Sequence, residues 1–209
     1  TRFDKCHFSK GFPGRHMDQK TDQVHTSQQI LDIAQRLVQT RGFNAFSYAD
    51  IASELKVSKA SLHYHFASKA ELGIKLIERY EAGMERALHE IDASGGGAAT
   101  KLRRYVNIYL SVLADERMCL CGMLAAEYVT LPKAMQTALD SFFALNERWL
   151  AAILEDGRTG GTLQFKGKAS EAADYVIGSL EGSMMMARSH GGTERFDAAS
   201  RRLLAEFGI

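Results

Sequence analysis

Residues 47–72 read SYADIASELKVSKASLHYHFASKAEL, and the spacing predicts two short helices joined by a tight turn, then the start of a third. Three helix starts are written into the stretch: Ser47 with Asp50, Ser58 with Ser61, and Ser68 with Glu71. Each serine hydroxyl can accept from amides that a first helical turn leaves unpaired, and Ser68 with Glu71 makes a full capping box. Ile51, Ala52 and Leu55 place an apolar stripe on the first helix, and Val57, Leu62 and Phe66 carry the buried face past the turn. Ala52 is small where two helices must cross closely. The second helix turns Lys59, Ala60, Ser61, His63, Tyr64 and His65 outward. That face offers donors, a cation and aromatic rings but no carboxylate, the chemistry needed to lie against phosphates and base edges.

Working outward, Thr26 and Gln29 can cap a preceding helix that carries Ile30, Ile33, Ala34 and Leu37 at helical spacing. Gly42 can end it in the left-handed conformation, with Phe43 folding back on the last turn. From Lys69 a long helix is expected to run to about Ala93, carrying Leu72, Leu76, Tyr80 and Leu88, until Ser94-Gly95-Gly96-Gly97 breaks it. Consecutive glycines cost a helix roughly 1 kcal/mol each, so the break is a candidate hinge. Beyond it the pattern predicts helices over 98–115, 118–130, 132–155, 169–190 and 194–207, with no alternating strand pattern. Pro132 suits a first turn, where its missing amide hydrogen costs nothing. Residues 1–16 lack helical periodicity and meet Met17 through a His16-Met17 junction of the kind expression cloning leaves. They are expected to be a vector leader, and Cys6 is set aside with them.

Composition bounds the answer. A chain of 209 residues can bury a sizeable helical core. Its formal net charge is +1, so nucleic-acid binding must come from a local patch. No apolar run reaches the roughly 18 residues of a membrane span, and no signal peptide is visible. Three cysteines, an odd number, argue against a secreted disulfide framework, which makes the cytoplasm the expected compartment.

The run Ile-Ala-x-x-Leu-x-Val-Ser-x-x-Ser-Leu-x-Tyr-His-Phe-x-Ser-Lys-x-x-Leu, from Ile51 to Leu72, resembles the DNA-binding domain of the TetR/AcrR family of bacterial transcriptional regulators, and the resemblance extends over 26–72. One position departs: the family usually carries Tyr where this chain has His63. The resemblance implies an all-α chain with an N-terminal three-helix DNA-binding domain containing a helix-turn-helix, and a C-terminal helical domain for ligand binding and dimerisation. The expected boundaries are 17–72 for the head, a linking helix to about 93, and 98–209 for the body. It also implies a homodimer through the helices at about 132–155 and 169–190, reading a palindromic operator in double-stranded DNA. Ser47 and Tyr48 are placed for one backbone strand, Lys59 and Ser61 for a base edge or phosphate, and Ala60 for a thymine methyl. By resemblance, His63, Tyr64, His65 and Lys69 contact phosphates. The competing readings are a half-buried structural His65 and a Tyr48 that merely flanks a cap.

For sensing, Cys119 and Cys121 form the only thiol pair in the body. At i and i+2 on a helix they point about 200° apart, against an easy disulfide, and no nearby Cys or His completes a zinc site. A reactive Cys119 needs a lowered pKa, for which Arg117 and the helix N-terminus are the candidate causes. Relatives in the family sense electrophiles or oxidants through a cysteine at the corresponding helix. The competing reading is that both thiols are small hydrophobes in the core. A second sensing route is an apolar ligand held among Tyr105, Tyr109, Met123, Tyr128, Trp149 and Tyr175, with Phe142, Phe143 and one or two of Met184–Met186. Glu127 and Arg103 are candidate polar anchors, with solvent exposure the alternative. A thiol-dependent helical enzyme with an incidental helix-turn-helix is the other functional class. It lacks a His and acid arrangement around Cys119, and no cofactor or metal motif accompanies it. The sequence therefore predicts a DNA-binding regulator, most simply a repressor released by a small effector or by cysteine modification.

Overall fold

Every start predicted within 47–72 is a cap in the structure. Ser47 Oγ accepts from the Ala49 amide at 3.2 Å while the Asp50 carboxylate accepts from the Ser47 amide at 2.7 Å, a reciprocal box. Ser58 Oγ accepts from Ser61 N at 3.2 Å and Ser68 Oγ from Glu71 N at 3.1 Å. Glu71 reaches back one residue further than a standard box, accepting from the Ala67 amide at 3.0 Å.

The computed structural model describes residues 16–209, with side chains from residue 23 onward. The expected leader at 1–16, with Cys6, lies outside the described residues apart from His16. Among the described residues the chain folds as nine α-helices and one 3-10 turn, without strands. These are α1 (His16–Arg41), α2 (Tyr48–Leu55), α3 (Lys59–His65), α4 (Lys69–Ala93), α5 (Ala98–Ala114), α6 (Leu120–Ala126), α7 (Lys133–Thr159), α8 (Ala169–Ser189) and α9 (Gly192–Glu206), with the 3-10 turn at Tyr128–Thr130.

Three expectations change. The first helix starts at His16, not Thr26: no Gly or Pro interrupts 16–26, so the backbone has no reason to leave the helix at a residue that could cap it. The helix expected over 118–130 divides into α6 and the 3-10 turn, with Cys119 standing outside α6 as its N-cap. Val57, expected to continue the buried stripe, is exposed in the turn.

In the head, α1, α2, α3 and the start of α4 bury Ile30, Leu37, Ile51, Leu62, Phe66 and Leu72. The tight turn forms because Lys56 closes α2 in the left-handed conformation, φ 56°, with Val57 N donating to Ala52 O at 3.0 Å. α4 then carries the core from Leu72 into the body, where Met84, Leu88 and Ile91 pack inward. α7 is packed against α4, α5 and α8, and α9 closes over α8 and α5. No described helix is long and apolar enough to cross a membrane.

Candidate nucleic-acid interface and sensing core

α3 presents the face expected of a reading helix. Lys59 and Ala60 are exposed, Ser61 is half-buried, and no acidic residue occupies the helix. Tyr64 is 72% exposed, with its hydroxyl accepting from Gln23 Nε2 at 2.9 Å. His65 is half-buried, edge-on to Tyr64 at 5.4 Å between centroids. His63 is exposed, its Nδ1 3.2 Å from the Ala67 carbonyl and its ring 4.7 Å from that of Tyr48. Ser47 stays exposed at the start of α2, its hydroxyl donating to Asp50 at 2.8 Å.

Two of the expected phosphate contacts are otherwise engaged. Lys69 Nζ donates to the carbonyls of Phe43 and Phe46 at 2.6 and 2.5 Å and sits over both rings, 4.6 and 4.4 Å from their centroids. A cation at the start of α4 opposes the helix dipole; here it is held by two carbonyls and two π faces. Burial lowers its pKa, with Glu127 and Asp50 opposing the shift. Tyr48 is buried, and its hydroxyl donates to Phe66 O at 2.9 Å, tying α2 to the end of α3. Burial, with help from the charge of Glu71, pushes that phenol up to about 12. Both side chains brace the elements around α3 from within the head.

The expected sensing residues do not meet in one place. Tyr105, Tyr109, Trp149 and Cys119 meet in the body: Tyr105 donates to Asn146 Oδ1 at 2.9 Å, lies 3.3 Å from the Tyr109 hydroxyl and stacks on Trp149 at 5.7 Å. Trp149 itself donates to Asp92 at 3.0 Å. Tyr128 is at the edge, paired with Asp140, and Met123 faces the head near Gly42. Tyr175 is 51% exposed on the outer side of α8, away from the cluster. Of the three consecutive methionines only Met184 points inward, beside Cys119; Met185 and Met186 are exposed.

Both thiols are buried, and their surroundings reverse the expected pKa argument. Cys119 Sγ accepts from the Gly122 amide at 3.5 Å, as the helix N-terminus allows. Burial and the neighbouring Glu181 carboxyl nevertheless push the thiol well up, and burial does the same to Cys121. Arg117 does not offset this; its side chain lines a groove on the outer surface. Glu181 is the residue that sequence reading missed. Its two carboxyl oxygens are fully shielded and have no hydrogen-bond partner of normal geometry. Burial raises its pKa to about 7, moderated by the Cys119 thiol. Gly122 makes the space: a methyl there would overlap the Glu181 carboxylate. In the sequence, Glu181 sits among small residues of an amphipathic helix and gives no sign of pointing inward.

The same α6 segment holds the head. Gln39 exchanges bonds with Met118, side chain to carbonyl at 2.9 Å and carbonyl to amide at 3.1 Å. At the other end of α6, the Glu127 carboxylate accepts from the amides of Phe43 at 2.9 Å and Asn44 at 3.1 Å, and Asn44 Nδ2 donates to Thr130 Oγ1 at 2.8 Å. Glu127 is thus a tie between body and head and not a ligand anchor. Gly42 permits it: φ is +96°, and an added Cβ would stand 2.6 Å from the carboxylate. Arg103, the other candidate anchor, is exposed.

A helix-turn-helix whose second helix carries no carboxylate, set on a helical body with a buried polar centre, defines a DNA-binding transcriptional regulator. The model of the N-terminal domain of the bacterial regulatory proteins of the tetR family matches residues 30–74, and that of the tetracyclin repressor-like C-terminal domain matches 98–203. The chain belongs to the TetR family. A TetR-family regulator from Agrobacterium tumefaciens is 32% identical, with a TM-score of 0.85 over 88% of this chain and 98% of that one. The transcriptional repressor NemR of Escherichia coli (strain K12) is 26% identical over 78% of this chain and 84% of its own. The reduced form of E. coli NemR superposes with a TM-score of 0.74 at 23% identity over 87% of this chain and 97% of that one, a likeness of fold.

Proposed function

We propose that the protein is a homodimeric repressor that reads a palindromic operator with α3 and leaves it when Cys119 is modified. The observation that carries the proposal is the junction at α6. One end of this short helix is capped by Cys119 and the other ends at Glu127, which holds the amides of Phe43 and Asn44 just ahead of the helix-turn-helix. A group added to a thiol this tightly packed must displace α6, and α6 cannot move without moving the head. Lys59 and Ser61 are the residues proposed to read sequence, with Ala60 against a thymine methyl. Ser47, His63, Tyr64 and His65 are proposed to fix register on the backbone. The tight packing of the tyrosine cluster supports the thiol route over an apolar ligand.

The dimer is proposed to form through α8 and α9, not α7 and α8. The outer face of α7 is polar, with Lys133, Asp140, Arg148 and Glu155 exposed. α8 instead exposes Tyr175, Gly178, Gly182, Met185 and Met186, and it shares an open groove with Arg195, Ala199 and Arg202 of α9. Two such faces bring two heads to about one duplex turn. Footprinting of the purified protein on its own upstream DNA tests the reading. It should protect an inverted repeat, two protomers per repeat; protection of a single unrepeated half-site, or of none, contradicts it.

A further inference from the structure

We propose that Glu181 is the general base that arms Cys119 toward small alkenes conjugated to a carbonyl. The inference rests on Cys119 being the sensing thiol. A buried thiol beside a carboxylate cannot be activated by standing as thiolate, because the two anions would repel in a low-dielectric interior. The same carboxylate can instead take the proton while the new bond forms.

Three observations support this. The Glu181 oxygens are out of solvent and have no hydrogen-bond partner of normal geometry, which an acid kept only for packing would not tolerate. Gly122 leaves room for the carboxylate beside the Cys119 thiol. The thiol also has an approach. An outer groove of about 670 Å³ between α1, α4 and α5 is lined by Tyr80, Met84, Ile108 and Val112, and these four also line a cavity of about 10 Å³ against Cys119. That cavity has room for about one water molecule, so a reagent enters by displacing the Tyr80 and Met84 side chains. Small, flat electrophiles are favoured accordingly. The titratable groups facing Glu181 are Tyr80 from α4, Tyr105 and Tyr109 from α5, and Cys119 and Cys121 around the start of α6. None is cationic.

In the step, Cys119 Sγ bonds to the β-carbon while its S–H bond breaks and the proton passes to the Glu181 carboxylate. The alkene π pair moves to the carbonyl oxygen as an enolate. Glu181 then returns the proton to the α-carbon, which leaves a thioether and restores the carboxylate. No oxidant enters.

The test is the rate of N-ethylmaleimide addition to the intact protein between pH 5.5 and 9. Peptide mapping separates the Cys119 adduct from that of Cys121. Wild-type protein should react with a rate that follows one titration near pH 7 and then levels. Glu181→Gln should be slower at neutral pH by about 10²-fold and should climb with pH without a plateau. Glu181→Asp keeps an acid on a shorter arm and should retain the plateau at a reduced rate, which serves if the Gln variant does not fold. Equal rates and profiles in wild type and variants overturn the proposal, as does a folded wild type that forms no Cys119 adduct. Operator binding is read on the same samples: a complete adduct that still holds DNA defeats the sensor reading while leaving the role of Glu181 intact.

Discussion

Lys59 and Lys69 look alike in the sequence, each a cation at the start of a helix behind a capping serine. The structure separates them: Lys59 is exposed on α3, whereas Lys69 is locked between Phe43 and Phe46. Lys59→Ala with Ser61→Ala should abolish specific operator binding and move stability by no more than about 0.5 kcal/mol, as for exposed positions in general. A large loss in a urea melt would identify these positions as packing. Lys69→Met should do the reverse. It removes two bonds from an ammonium to buried carbonyls, where one such bond contributes about 1.5–3 kcal/mol, so the unfolding free energy from urea melts should fall by at least an amount in that range. An unchanged melt with lost DNA binding would return Lys69 to the phosphates. His63, where the family usually has Tyr, is a shorter side chain tilted against the Tyr48 ring, and its contacts lie within the head.

At the scale of elements, the capping serines and the apolar spacing made α2, α3 and α4 legible, because caps and periodicity are local. The glycine run made the break between α4 and α5 legible for the same reason. α6 was not. Whether Glu127 faces water or the amides of Phe43 and Asn44 depends on a helix reaching the head from more than eighty residues away, and nothing in its neighbours records that. Glu181 was missed because the small residues around it describe an exposed face equally well. The Cys pair was noticed, but its activation was placed on Arg117, a sequence neighbour that the fold turns away. Glu127→Ala leaves α3 untouched and cuts the tie. It should bind operator with affinity close to wild type yet respond only weakly to the Cys119 adduct. A mobility shift titration, with and without adduct, measures both, and full release in the variant would show that coupling runs elsewhere.

Across the whole molecule, Glu181 leaves a signature in stability. Its pKa is about 7 when folded and near the ordinary carboxylate value of about 4.3 when unfolded. Between those values the folded chain holds the extra proton, so stability falls as pH rises from about 4.5 to 7 and stays reduced above. Glu181→Gln should remove that fall and raise stability at pH 8 by on the order of 3–4 kcal/mol, the size set by the shift. Urea midpoints at pH 5 and pH 8 check the sign: a wild type that gains stability over this interval contradicts a buried, unpartnered acid. Dimerisation belongs to the same scale. Tyr175→Asp with Met186→Asp on the open face of α8 should give a monomer by light scattering and cost operator affinity, since one head cannot hold a palindrome alone. The most direct test of the link between thiol and DNA is a mobility shift on the upstream region, with wild type and Cys119→Ser, before and after one equivalent of a quinone. Wild type should bind before treatment and let go after it, while Cys119→Ser should bind in both. Release of Cys119→Ser at the same dose, or retention of DNA by fully modified wild type, would contradict the proposed switch.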